Sequence, residues 1–468
     1  MHDLLINSDG LSLSKNHSLR EIISKHRTRL NAELTRVRLT QGYSTLGELR
    51  IALNYRNHND QVASSTTREL IPENHGQKSR PRWVRINTIR TSLAAQLQTT
   101  FADFKRVKHL DDLLIEPKTL FIDNHVPNLI AVSPLWQANS HPEYQRGALI
   151  LQDKASCIPA VLLEPRADTK CLDACAAPGN KTTHLASLIS ESTNVPQAVK
   201  IWACERDGGR AIVLDKMIRL AGAEILVNIQ AGRDFLGIDP NENPWKEISH
   251  LLLDPSCSGS GIVGRNEELH IELASATAGE IGNRPVKRRK KNVPKLAPPS
   301  MSDKSTSIDE KTSSTSALKA RLSALGRFQL RLLLHAFSFP SAERITYSTC
   351  SVYAEENEHV VLKALLASAA EQRGWKLLCR NDQPEGLKAW PVRGDKDACV
   401  SFLGDQSLLT AEDVAEACIR CMKDTKEYTQ GFFVAGFIQQ SPRNGASTKS
   451  QDITHDELEE EWTGFGED

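Results

Sequence analysis

Long apolar runs are missing from this 468-residue sequence. No stretch approaches the roughly 18 to 20 residues that a membrane span needs, and the opening MHDLLINSDG has neither a basic nor an apolar leader region. Secretion and membrane anchoring are therefore not expected. Regular cysteine spacing is missing as well. The ten cysteines are scattered, which without a leader points to reduced thiols in the cytosol or nucleus rather than a disulfide framework. Net charge is also missing, since Lys plus Arg and Asp plus Glu number 58 each. Taken as an average, that balance argues against a nucleic-acid partner. The average hides a segregation: Asp452 to Asp468 holds eight acids and no Lys or Arg, so residues 1 to 451 carry 58 basic against 50 acidic side chains, a net +8.

What is present fits a globular chain, with 40% hydrophobic and 25% charged residues, long enough for two folded domains plus flexible segments. Residues 1 to 80 read as a helical, basic segment. Within it Lys15 to Arg38 carries seven Lys or Arg, with Leu19, Ile22, Ile23, Leu30 and Leu34 at helical spacing. Residues 81 to 146 read as a small α+β domain, with WVRIN, TLFI and NLIAV as strands. Lys78, Arg80, Arg82, Arg85 and Arg90 surround the first of these without an acid, an arrangement suited to tracking a phosphate backbone. From 147 to 440 apolar strands end in Gly- or Asp-containing loops followed by helices, which predicts an α/β, Rossmann-like, doubly wound parallel sheet with its chemistry at the carboxyl ends of the strands. An insertion at 274 to 316, rich in Lys, Ser, Thr and Pro, is expected to be disordered. Its run Lys287 to Lys291 is a candidate nuclear localisation signal or RNA tether. Residues 441 to 468 form the acidic tail.

The segment Asp173-Ala-Cys175-Ala176-Ala177-Pro178-Gly179-Asn180-Lys181 follows a strand and opens a helix, where such a sheet holds a nucleotide-like ligand. It lacks the first glycine of a phosphate-binding loop, which would fall at Cys175, and it lacks GxGxxG. Glu205 ends the next strand, placed to accept hydrogen bonds from ribose hydroxyls, and Asp234 ends the one after. Each acid alone reads most simply as a cap or surface residue. As an ordered set they fit an adenosine-containing ligand without a polyphosphate, with S-adenosylmethionine the obvious candidate. Two thiols then occupy ligand-side loops, in Asp254-Pro-Ser-Cys257 and Tyr347-Ser-Thr-Cys350. A pyrimidine methyl acceptor explains them. A thiolate adding to carbon 6 makes carbon 5 nucleophilic, and loss of the carbon 5 proton then allows the thiolate to leave. The second cysteine could assist that release. Asp254 could hydrogen-bond the N3/N4 edge of cytosine, and Lys181 could approach the base or lower a thiol pKa.

LDACAAPGNKT, LLDPSCSGSG and YSTCSVYAEENE, with PRWVRINTIRTS and ILQDKASCIPA upstream, resemble motifs of the NOL/NOP/Sun family of RNA cytosine-C5 methyltransferases. Pro-Ser-Cys resembles the eukaryotic branch that modifies large-subunit ribosomal RNA. The resemblance implies a class I S-adenosylmethionine-dependent core, Cys350 as nucleophile and Cys257 as the group that helps release product. Donor contacts would fall on Cys175 to Lys181, Glu205, Arg210, Asp234 and Asp254. It further implies an rRNA partner within pre-ribosomal particles, a nucleolar location and action as a monomer. The chain is expected to begin partway into the helical region that relatives carry.

Three other readings stand beside this one: a non-catalytic RNA-binding assembly factor, a tRNA cytosine-C5 methyltransferase, and a methyltransferase for proteins or small molecules. An RNA chaperone needs neither thiol. Cys418-Ile-Arg-Cys421 is a single CxxC in a helix-like stretch with no second pair, so no metal site is expected. Cys157, Cys171, Cys204, Cys379 and Cys399 read as core residues.

Overall fold

In the computed structural model of the chain, residues 80–191, 198–262, 309–403, 410–423 and 425–440 are described, together with four helical positions, Arg29, Ala32, Thr35 and Arg36. The rest of the basic N-terminal segment, Lys287 to Lys291 and the acidic tail lie outside the described residues. Among the described residues no helix is long and apolar enough to cross a membrane.

The first sheet comprises β1 (Arg82–Ile86), β2 (Lys105–Arg106), β3 (Thr119–Ile122), β4 (Leu129–Val132) and β5 (Leu149–Leu151), in the order β2-β3-β4-β1-β5. Side chains alternate faces along β1. Val84 and Ile86 join Phe101, Leu120, Ile130, Val132 and Leu149 in one core, against which Leu93 and Leu97 of α1 (Leu93–Gln98) pack. Trp83 belongs to the opposite face, with Leu129, Ala131 and Ile158 and Val161 of α2 (Lys154–Leu163). A sheet covered on both faces explains why β3, β4 and β5 are apolar almost throughout. Because β5 pairs antiparallel with β1, the small domain extends to residue 151. The expected boundary at 146 is too early, since the apolar run after Gly147 reads equally well as the first strand of the next domain.

The second sheet holds β6 (Cys171–Asp173), β7 (Ile201–Glu205), β8 (Val227–Ala231), β9 (His250–Leu253), β10 (Arg344–Thr349), β11 (Trp375–Leu377), β12 (Ile419–Cys421) and β13 (Phe432–Gln439). Its order is β11-β13-β10-β9-β6-β7-β8, with β12 on β13. The strands β6 to β10 are parallel, and β13 runs antiparallel to β10. The chain moves outward from β6 to β8 and then returns to lay β9 on the other side of β6. That reversal creates a crevice at the carboxyl ends of β6 and β9, where ligands bind in open α/β sheets. Helices α3 (Asn180–Glu191) and α4 (Gly208–Ala221) follow β6 and β7.

Helix α5 spans Asp309–Phe337 and therefore starts inside the stretch assigned to the insertion. Its C-terminal half buries Leu322, Gln329, Leu332, Leu333, Ala336 and Phe337, a helical spacing that anchors the whole element. Propagation from such an anchored half costs little, so a Ser- and Thr-rich beginning is carried along. Cys418 and Cys421 do not lie within a helix: Cys418 caps the short helix Ala411–Ala417 and Cys421 ends β12, both buried. Cys157, Cys171, Cys204 and Cys399 are buried, whereas Cys379 is exposed, because it lies in the turn after β11, outside the sheet.

Candidate active site

The loop after β6 is built by short-range hydrogen bonds around a buried carboxylate. Asp173 accepts from the Thr182 hydroxyl at 2.7 Å and from the Cys175 N–H at 3.3 Å. Burial, opposed by the Thr182 bond, pushes its carboxyl up to about 6. The Ala176 N–H donates to the Cys204 carbonyl of β7, which holds Cys175 to Asn180 across the top of the sheet. Gly179 has φ +109, and a Cβ there would press on Leu214 and Met217 of α4 at 3.0 and 3.1 Å. Only glycine suits that conformation and closeness.

Glu205, 5% exposed, accepts from the Asp207 N–H at 2.9 Å and lies 3.5 Å from Arg210, whose guanidinium also donates to the Ala177 carbonyl at 2.8 Å. Arg210 thus ties the β7 end to the 175–181 loop. Asp234, exposed after β8, accepts from the Leu236 N–H and lies 3.8 Å from Arg206. Small side chains over β6 and carboxylates at successive strand ends leave room for a nucleoside and offer acceptors to free ribose hydroxyls.

Across the crevice, Lys181 at the start of α3 donates to Asp254 after β9 at 2.6 Å. The other Asp254 oxygen accepts from the Ser348 hydroxyl at 2.7 Å. The Lys181 ammonium lies 5.2 Å from the centre of the Phe432 ring, and its side chain is 14% exposed. Beside this pair the Cys257 and Cys350 sulfurs are 3.0 Å apart, both half-buried. The hydrogen bond with Cys257 holds the Cys350 thiol below its ordinary range against the opposing effect of burial, with Lys181 pulling the same way. The same bond, reinforced by burial, pushes Cys257 up.

The two thiol loops are clamped backbone to backbone. The Gly261 N–H donates to the Cys350 carbonyl at 2.8 Å, and the Gly431 N–H donates to the Gly261 carbonyl at 2.9 Å. A Cβ on Gly261 would fall 2.1 Å from the Gly431 carbonyl oxygen. This accounts for the second glycine of SCSGSG. Hydroxyls of Ser258, Ser260 and Ser351 interlock at 3.1 to 3.3 Å between the same two loops.

A family model described as 16S rRNA methyltransferase RsmB/F matches residues 160–287, and one described as NOL1/NOP2/Sun domain family member 5, ferredoxin-like domain, matches residues 80–152. The 25S rRNA (cytosine-C(5))-methyltransferase rcm1 of Schizosaccharomyces pombe is 34% identical over 93% of this chain and 75% of its own length. The chain belongs to the NOL1/NOP2/Sun family of RNA (cytosine-C5)-methyltransferases. A mouse 28S rRNA (cytosine-C(5))-methyltransferase is 31% identical over 89% of this chain and 71% of its own. A methyltransferase homologue from Pyrococcus horikoshii of known structure superposes with a TM-score of 0.49 at 20% identity, covering 78% of this chain and 88% of its own. As a family member the chain is an S-adenosylmethionine-dependent RNA methyltransferase with a Rossmann-like core.

The site residues named from the sequence gather along the carboxyl ends of five neighbouring strands, and one set of expected RNA contacts does not. Arg85 is 1% exposed. Its guanidinium donates to Gln152 at 2.7 Å, Thr183 at 2.9 Å and Ser187 at 3.1 Å, so it fixes the small domain to α3 and offers nothing to a phosphate. Burial lowers it to about 10. Arg90 caps α4 through the Leu220 and Arg219 carbonyls, and Arg80 donates to the Thr429 carbonyl. Arg82 is exposed. Sequence reasoning missed Asp173, Ser348 and Phe432. Ser348 was accessible to it, because a strand's period of two puts Ser348 and Cys350 on one side. Nothing in GFFVAGFI marks Phe432 as anything but core.

Proposed function

We propose that this chain methylates carbon 5 of a cytosine in large-subunit rRNA, the activity for which its Schizosaccharomyces pombe and mouse relatives are named, within pre-ribosomal particles in the nucleolus. The observation that carries the mechanism is the 3.0 Å sulfur pair beside the Lys181–Asp254 bridge. A flipped cytosine must enter the crevice between the ends of β6, β9 and β10. The Cys350 thiolate adds to carbon 6, its lone pair becoming the C–S bond while the ring electrons move toward N3. Asp254, fixed by Ser348 and Lys181, accepts from the exocyclic amine, and the Lys181 ammonium offsets the charge that builds on the ring. When bound, the methyl donor supplies a methyl group activated on a sulfonium, and Cys175 to Lys181, Glu205, Arg210 and Asp234 are the residues that would hold it. After transfer a base takes the carbon 5 proton, the C–S electrons return to the Cys350 sulfur, and the Cys257 S–H stabilises that departing thiolate.

The test separates the two thiols. Cys350→Ala should abolish methyl transfer and form no covalent complex with labelled RNA. Cys257→Ala should accumulate a complex that survives denaturation on a gel. A stable complex in the Cys350 variant but not in the Cys257 variant reverses the assignment. Deletion of residues 276 to 316 should shift a fluorescent fusion out of the nucleus; an unchanged pattern removes Lys287 to Lys291 as its signal.

A further inference from the structure

Two thiols of the same chemistry lie 3.0 Å apart, yet the reaction needs one as a thiolate and the other as its hydrogen-bond donor. Something must break the symmetry. On the Cys350 side the nearby charges are Lys181 and its partner Asp254, from the ends of β6 and β9. On the Cys257 side lies Glu356, 0% exposed. One of its oxygens accepts from the Ser258 N–H at 2.9 Å and from the Gln329 amide at 3.0 Å. The other, Oε2, is buried with no hydrogen-bond partner in the structure.

The surrounding fold fixes the position of this residue. Tyr347, itself buried, donates to the Glu356 carbonyl at 2.5 Å and to Gln329 at 3.2 Å. Gly326 lets α5 come close enough to present Gln329, because a Cβ there would meet the Glu355 carbonyl oxygen at 2.8 Å.

We infer that Glu356 is a positioning residue that keeps the shared proton on Cys257 and so leaves Cys350 as the nucleophile. The inference rests on the proposed role of Cys350 and adds what selects it. The field of the carboxylate opposes a second negative charge on the adjacent Cys257 sulfur, while the hydrogen bond to Ser258 sets where that sulfur sits. Among the charges facing the pair, Glu356 disfavours the Cys257 thiolate, Asp254 disfavours the Cys350 thiolate, and Lys181 favours it.

Alkylation of the RNA-free, donor-free full chain with iodoacetamide, read separately at each cysteine by peptide mass spectrometry across a pH series, tests this. In the wild type Cys350 should react at least about tenfold faster than Cys257, which corresponds to one pKa unit between them. Glu356→Gln keeps an oxygen for Ser258 and Gln329 but removes the charge, and it should reduce that preference by about three- to tenfold, with the Cys350 profile moving to higher pH. Glu356→Asp keeps the charge and should retain the preference. An unchanged preference in folded E356Q, or equal losses in E356Q and E356D, overturns the proposal. If E356Q does not fold, the wild type still decides, because equal alkylation of the two thiols rejects any selection. Failure of the Cys350 assignment itself would appear separately, as methyl transfer persisting in Cys350→Ala.

Discussion

Two lysines in this molecule are assembled from the same parts and do different work. Lys154, at the start of α2, lies 2.5 Å from Asp123 and 2.6 Å from Glu427, with the His125 ring nitrogen at 3.0 Å and the Trp83 and Trp390 rings at 5.1 and 5.0 Å. Lys181 likewise has a carboxylate at 2.6 Å and an aromatic ring at 5.2 Å. The difference is saturation. Lys154 is 1% exposed and is enclosed by Asp123, His125 and Glu427 at 2.5 to 3.0 Å, contributed by both domains, so it is a joint. Asp123, His125 and Glu427 also have the spacing of a metal cluster, and the ammonium supplies the cation they need. Lys181 spends one N–H on Asp254, keeps a partly open face and adjoins the thiols. An ammonium with donors left over, beside a nucleophile, can follow charge as it develops on a substrate.

The largest expected effect breaks the joint. Lys154→Ala leaves Asp123 and Glu427 facing each other without a cation, and losing one member of a buried ion pair costs about 3–5 kcal/mol. Urea denaturation should show that loss, with RNA and donor affinity per folded molecule little changed. Next, Lys181→Ala should leave the denaturation midpoint nearly where it is, since its ion pair is partly open to solvent, but lower kcat by about 10²- to 10³-fold. If instead the Lys181 variant unfolds and the Lys154 variant only loses activity, joint and tool have been assigned the wrong way round.

Acid titration sharpens the contrast through one aspartate from each region. At the junction, burial pushes Asp123 up, but hydrogen bonds from His125 and Lys154 outweigh it and hold the carboxyl below its ordinary range. Its stabilisation is therefore complete above the unfolded value of about 4 and is lost as pH falls through the folded value. Asp173 at the active site has the opposite sign, raised to about 6. The folded state holds its proton more tightly, so stability falls as pH rises from about 4 to 6, by about 3 kcal/mol in total. Asp173→Asn should remove that decline and Asp123→Asn should not, which denaturation at pH steps of about half a unit will show.

How far all this could be read from the sequence depends on how local each feature is. The 175–181 loop, Glu205 and the two thiol loops are strand-end patterns within a few residues, and the alternation of strand and helix announces a parallel sheet. The Lys154 joint could not be read, because its partners come from Asp123 and from Glu427, 273 residues away. Glu356 stood in a motif already quoted, yet its meaning needs Gln329 from a helix that follows the insertion. Composition hid the start of α5 for the converse reason, since burial of its later residues rather than propensity makes it helical.

The arginines of β1 show the same limit and give the smallest predicted effect. Spacing marks Arg82 and Arg85 alike as cations beside a strand, but the alternation of β1 turns Arg85 toward α3, while Arg82 stays exposed at the strand's beginning. Arg85→Ala should cost stability by stranding Gln152, Thr183 and Ser187 without their donor, and it should not alter how RNA binding depends on salt. Arg82→Ala should shift stability by no more than about 0.5 kcal/mol. If Arg82 neutralises one phosphate, each contact removed lowers the slope of log K against log salt by about 0.7 for a single strand or 0.9 for a duplex. Filter-binding titrations across a salt series read that slope directly. A slope unchanged in Arg82→Ala moves the RNA off this edge of the small domain, and the basic segment from Lys15 to Arg38 is then the place to look.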